Sequence, residues 1–184
     1  MVAGEAPSPE DRAEIERRLG RRPQGDFEVV VRDDDGAPMV IRNAPLLGDG
    51  TPMPTRFWLV DPEVRSAIGR LESTGGVRRA EAELDPDLIA TAHRRYADER
   101  DRALPVGHVG PTPSGGVGGT RLGVKCLHAH YAWFLAGGDD PVGRWVDDQL
   151  SAYLVARPSH QDEVDDEVGD GDGDEVEVDG GGQP

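Results

Sequence analysis

The sequence predicts an α+β fold, a small antiparallel three-stranded sheet covered by four or five helices, and three observations carry that reading. Runs of β-branched residues are gathered in one segment, 27–60. An Asp-Pro pair, a helix-start signal, recurs at 61, 85 and 140. The stretch from Cys126 to Gly138 holds no Asp, Glu, Lys or Arg in a chain that is 30% charged, as expected of a helix covered on nearly all sides.

Taken in order, Ser8-Pro9-Glu10-Asp11 has the form of an N-cap, a proline at the first helical position and an acid at the third. Ile15 and Leu19 follow at helical spacing, so a helix is expected over 9–19, ended by Gly20. Phe27–Arg32 and Pro38–Arg42 are strand-like and separated by Asp33-Asp-Asp-Gly36, a turn signal that makes them a hairpin. The proline-rich and glycine-containing segment 43–54 leads to a third strand, Thr55–Val60. Asp61-Pro62 then opens a helix in which Val64, Ala67, Ile68 and Leu71 recur, and Gly75-Gly76 stops it. Asp85-Pro86 opens another, to about Leu104, whose inward arc is Ile89, Ala92, His93, Tyr96, Arg100 and Ala103.

Six glycines and three prolines lie between Pro105 and Gly119, which indicates irregular backbone ahead of a central helix expected over 121–136. Asp140-Pro141 opens the last helix, with a stripe of Val142, Trp145, Val146, Gln149, Leu150, Tyr153 and Leu154 that should pack on the central one. Residues 1–158 thus form one globular domain. Residues 159–184 form an acidic tail without an apolar face, expected to be disordered.

The chain has net charge −16, and eleven acids with no base fall within 162–179. The remainder, 25 acids against 20 bases, is only −5. Without a basic stripe, binding to nucleic acid is not expected, because phosphate affinity rests on clustered Lys and Arg. No stretch approaches the roughly 20 apolar residues of a membrane span, so membrane insertion is not expected either. One cysteine excludes an internal disulfide framework and fits a reducing, cytoplasmic location.

Candidate site residues gather where the glycine-rich segment meets the central helix. Lys125 is the only lysine among twenty basic residues, and it adjoins Cys126, the only cysteine, with His128 and His130 next. At 100° per residue, Cys126, His130 and Trp133 share one stripe and His128 points nearly the opposite way. A thiol with His130 at i+4 and Lys125 beside it could be a nucleophile, although a lone cysteine on a buried helix is more often an apolar filler. A helix separates the middle residue of Cys-x-His-x-His from the other two, so no metal is expected, and no cofactor motif is present. Gly115–Gly119 does not make a Walker motif, since Lys125 is not followed by Ser or Thr. An anion site built from loop N–H groups, Lys125 and Arg100 is the alternative to a plain linker. Trp58, Trp133, Trp145 and Tyr131 are assigned to the core ahead of a pocket wall.

Several stretches together resemble the actinobacterial domain-of-unknown-function family 501: Leu19-Gly-Arg-Arg-Pro23, Gly50-Thr-Pro-Met-Pro-Thr-Arg-Phe-Trp-Leu59, Arg70-Leu71-Glu72, Ala92-His93 with Tyr96 and Arg100, Val124-Lys-Cys-Leu-His-Ala-His130, and Asp140-Pro-Val-Gly143. The resemblance implies a small cytoplasmic protein whose gene lies near those for a septum-formation initiator and an exopolyphosphatase. Some members carry cysteines in the hairpin turn and after the Trp-Leu strand, where this chain has Asp33 to Asp35 and Asp61. Two function classes follow. The first, which the sequence favours, is a non-enzymatic binding or regulatory protein with an unknown protein partner or an anionic small molecule, linked to cell division or the envelope. The second is an enzyme or sensor for a phosphorylated small molecule that uses the 115–130 loop and helix, with Lys125, Cys126, His130, His93, Arg100 and His128 around the anion.

Overall fold

The computed structural model describes residues 2–156; the acidic segment expected to be disordered lies outside them. The elements are α1 (Pro9–Leu19), β1 (Phe27–Arg32), β2 (Pro38–Asn43), β3 (Phe57–Leu59), α2 (Pro62–Ser73), α3 (Gly76–Glu83), α4 (Pro86–Arg102), α5 (Leu127–Leu135) and α6 (Pro141–Ala156), with a short 3-10 turn at Val117–Gly119. The three strands pair antiparallel in the order β1-β2-β3. This is the α+β class that the sequence predicts.

Alternation along the strands divides the core in two. Val29, Ile41 and Phe27 face Ile15 of α1. Val30, Val40, Phe57 and Leu59 face the opposite way, into a larger cluster built from α2 to α6 that includes Ile68, Tyr96, Leu127, Trp133 and Val142. The sheet is therefore a middle layer, with α1 on one face and the other helices on the second. Helix α5 packs against both β3 and α6.

Local chemistry places the helix starts. Ser8 and Asp11 form a reciprocal capping box, and the Asp61 and Asp85 side chains accept from Val64 N–H and Asp87 N–H at 2.8 Å each. Two elements differ from the sequence reading. Helix α3 begins immediately after the expected stop, because its N-cap is Gly75 with a left-handed φ of 84° and no side-chain bond; a cap without a side chain leaves no start signal to read. The central helix is shorter than 121–136. Gly119 and Gly123 have φ of 77° and 62°, a left-handed backbone that breaks helical continuation, and regular hydrogen bonding begins only at Leu127.

Candidate functional site

The start of α5 is built from three helices. Cys126 occupies its N-cap position in extended backbone, φ −157°, and makes no capping bond. The Leu127 N–H is instead taken by Glu72 Oε1 of α2 at 2.7 Å, and the Val124 N–H by Glu81 Oε1 of α3 at 2.8 Å. Carboxylates of the chain itself thus supply the negative charge that a helix N-terminus attracts.

Extended backbone at Cys126 overturns the helical-wheel pairing of Cys126 with His130. Cys126 Sγ lies 3.7 Å from His128 Nδ1, and the same Nδ1 lies 3.3 Å from Glu72 Oε1. His128 Nε2 is 3.0 Å from the Arg65 carbonyl oxygen; a carbonyl can only accept, so Nε2 carries a hydrogen. The bond with Cys126 is the main reason the His128 imidazole is pushed up to about 9; burial opposes that shift, and the Arg65 carbonyl and the Glu72 charge reinforce it.

Cys126 and His128 open onto a cleft of about 330 Å³ between the sheet and the helix starts, whose walls also include Arg21, Thr55, Trp58 and Arg65. The Arg21 guanidinium lies over the Trp58 ring, 4.8 Å from its centre. Arg65 Nη1 donates to the Arg18 carbonyl at 3.0 Å. Neither arginine pairs with a carboxylate among the described residues, a state they share with Arg12, Arg79 and Arg94, whereas Arg17, Arg18, Arg32, Arg42 and Arg56 are paired. A hollow of similar size between α2, α3 and α6 brings together no Cys, His or carboxylate.

His93, His130 and Arg100 lie elsewhere, inside the core. His130 Nδ1 is 2.7 Å from Asp140 Oδ2, with the two side chains 1% and 0% exposed. Asp140 Oδ1 accepts from the Val142 and Gly143 N–H groups, so one carboxylate both caps α6 and ties it to α5. His130 Nε2 is buried without a partner. The His93 ring sits 5.5 Å from that of His130. Its Nδ1 accepts from Val117 N–H at 3.0 Å and its Nε2–H donates to the Gly123 carbonyl at 2.8 Å, a pattern only the neutral ring can make. Burial accordingly pushes its pKa down. Arg100, 2% exposed, donates to the Gly115 carbonyl at 2.6 Å and to Asp101.

The glycine-rich loop is therefore held by the core, and most of its N–H groups are bonded within the chain. Gly116 N–H bonds Thr120 O, Val117 N–H bonds His93, Gly119 N–H bonds Gly116 O, and Thr120 N–H bonds Val117 O. That leaves fewer donors for an anion than the glycine run suggests. Lys125 is exposed, with Nζ 3.4 Å from the Gly118 carbonyl, and is not part of the cleft wall. The six sequence candidates thus divide into Cys126 and His128 at the cleft, His93, His130 and Arg100 in the core, and Lys125 on the surface. Arg21, Glu72 and Asp140 carry no spacing signal of their own; contacts in the fold reveal them, that of Glu72 with Leu127 across 55 residues.

The fold and the cleft define a small α+β protein with an arginine-lined pocket at the foot of a buried helix. A family model described as Protein of unknown function (DUF501) matches residues 29–148. The chain belongs to that family. The match runs from β1 into α6, taking in Arg65, Glu72, Cys126 and His128 and leaving α1 and Arg21 outside. No curated protein and no solved structure matches the chain.

Proposed function

We propose that this is a non-enzymatic binding or regulatory protein whose ligand is a phosphate-bearing small molecule held in the cleft at the start of α5. One observation carries the reading: Arg21 and Arg65 both line the cleft beside His128 without a carboxylate partner among the described residues. The planar fork of a guanidinium matches two oxygens of a phosphate. The Arg21 guanidinium is held over the Trp58 ring at the cleft wall.

Binding is favoured over turnover by the state of the backbone. Catalysis at a phosphoryl or acyl group needs donors aimed at developing charge, and the N–H next to Cys126 is already bonded to Glu72. A cytoplasmic setting and a connection with cell division or the envelope, which the family resemblance implies, belong to the same proposal. Among the described residues no helix is long and apolar enough to cross a membrane.

Thermal unfolding of chelator-treated protein with inorganic phosphate, pyrophosphate or a nucleoside diphosphate tests the reading. A ligand that binds the folded state raises the midpoint with concentration, by about 2.7 kcal/mol of stability at a hundredfold excess over Kd. Arg65→Ala and Arg21→Ala should abolish the rise, and Lys125→Ala should leave it. The reverse pattern returns the anion to the glycine loop, and release of phosphate from an ester would replace binding with catalysis.

A further inference from the structure

We propose that Glu72, Cys126 and His128 form a zinc-binding site with three protein ligands and an open fourth position toward the cleft. Zn–S bonds of about 2.3 Å and Zn–N or Zn–O bonds of about 2.0–2.1 Å at tetrahedral angles put sulfur and nitrogen about 3.6 Å apart, and nitrogen and oxygen about 3.4 Å apart. The corresponding distances here are 3.7 Å from Cys126 Sγ to His128 Nδ1 and 3.3 Å from His128 Nδ1 to Glu72 Oε1. One ligand atom from each of the three residues can be chosen so that all lie within 4.8 Å of one another. Two edges of a coordination tetrahedron are thus already set, and the third is closed by a side-chain adjustment.

The surroundings fit a metal as well as the distances do. His128 donates its other ring N–H to the Arg65 carbonyl at 3.0 Å, the outer hydrogen bond that orients ligating histidines and turns the Nδ1 lone pair toward the ion. The Leu127 N–H bond holds Glu72 in place in the same way. One sulfur, one imidazole nitrogen and one carboxylate oxygen make a donor set of mixed softness suited to Zn²⁺, and thiolate plus carboxylate balance its charge. Extended backbone at Cys126 lets residues i and i+2 converge, which a continuous helix forbids. All three ligands are half-buried, so an ion has a path from solvent. The assignment rests on these side chains alone and stands whether or not the cleft binds a phosphate.

The test uses full-length protein stripped with chelator, kept reduced and free of phosphate. It is titrated with Zn²⁺ by calorimetry in two buffers of different ionisation enthalpy, and with Co²⁺ by absorption. One saturable site per chain is expected, with protons released on zinc binding and a thiolate-to-cobalt charge-transfer band. Cys126→Ser should remove the band. His128→Ala and Glu72→Gln should each weaken zinc at least tenfold; Gln keeps an acceptor for the Leu127 N–H, and circular dichroism checks that each variant is folded. His108→Ala, a histidine outside the cleft, should change nothing. Weak, non-saturating binding that Cys126→Ser leaves unaltered would mean adsorption to acidic side chains and would overturn the site. Because zinc is titrated without phosphate, and phosphate is tested without zinc, each proposal can fail alone.

Discussion

Helix α5 carries two histidines two residues apart, and their surroundings differ in one respect that matters. His130 and Asp140 are sealed in the core, where the carboxylate meets one imidazole N–H and two backbone N–H groups. His128 and Glu72 are half-exposed and share an unsettled arrangement in which one imidazole nitrogen faces both a thiol and a carboxylate. The same residue types therefore act as a structural clamp where water is excluded and as available donors where a cleft reaches them. Histidine beside an acid, read without burial, does not distinguish the two.

Breaking the core pair should show the largest difference. Asp140→Ala removes the α6 cap and leaves His130 buried without a partner on either nitrogen, so urea unfolding should report a loss of about 3–5 kcal/mol. A loss below about 1 kcal/mol would place this pair on a par with a surface contact. Gly143→Ala probes the same α5–α6 seam through packing. An added Cβ would collide with Phe134 Cβ and lie 2.8 Å from the His130 carbonyl oxygen, closer than atoms tolerate. It should cost about 1–3 kcal/mol, read as a lower midpoint with unchanged slope.

On the cleft side, His128→Ala should cost only about 1 kcal/mol, the net worth of its bond to the Arg65 carbonyl. An effect as large as that of Asp140→Ala would erase the distinction drawn here. The smallest effect is one of pH. His93 is neutral when folded, its pKa pushed below the ordinary 6.5 by burial. The unfolded chain then binds a proton that the folded chain refuses, so this contribution is complete above pH 6.5 and declines as pH falls through 6.5 toward the lowered folded value. His128, with its pKa raised to about 9, gains stability as pH falls over the same range, so the test is the difference between chains: between pH 7 and 5.5 the midpoint of His93→Gln should fall less, or rise more, than that of the unaltered protein.

How much could be read from sequence depended on how local the cause was. The helix starts at Pro9, Pro62, Pro86 and Pro141 were legible because cap and proline are neighbours in the chain. Helix α3 was not, because Gly75 caps it with backbone conformation alone. The buried arc of α4 was legible from spacing, with His93 and Arg100 buried among its apolar residues. Cys126 and His128 were named as candidates, but their convergence was hidden by the assumption of a helix already running at residue 121. Glu72 reaches Leu127 across 55 residues, and no periodicity encodes such a contact.

The borrowed carboxylate at the foot of α5 also bears on the order in which the chain folds. Nine residues are too few for a helix to persist alone in water, where about 12–15 are marginal even for favourable sequences. This helix has neither a capping side chain of its own nor a charge to complement its dipole. Its first amide waits for α2, and the Val124 amide just ahead of it waits for α3. The most buried helix should therefore be among the last to form, condensing onto a sheet and helices already assembled. Substitutions such as Glu72→Ala should then speed unfolding far more than they slow folding, a signature that stopped-flow kinetics on both limbs would read directly.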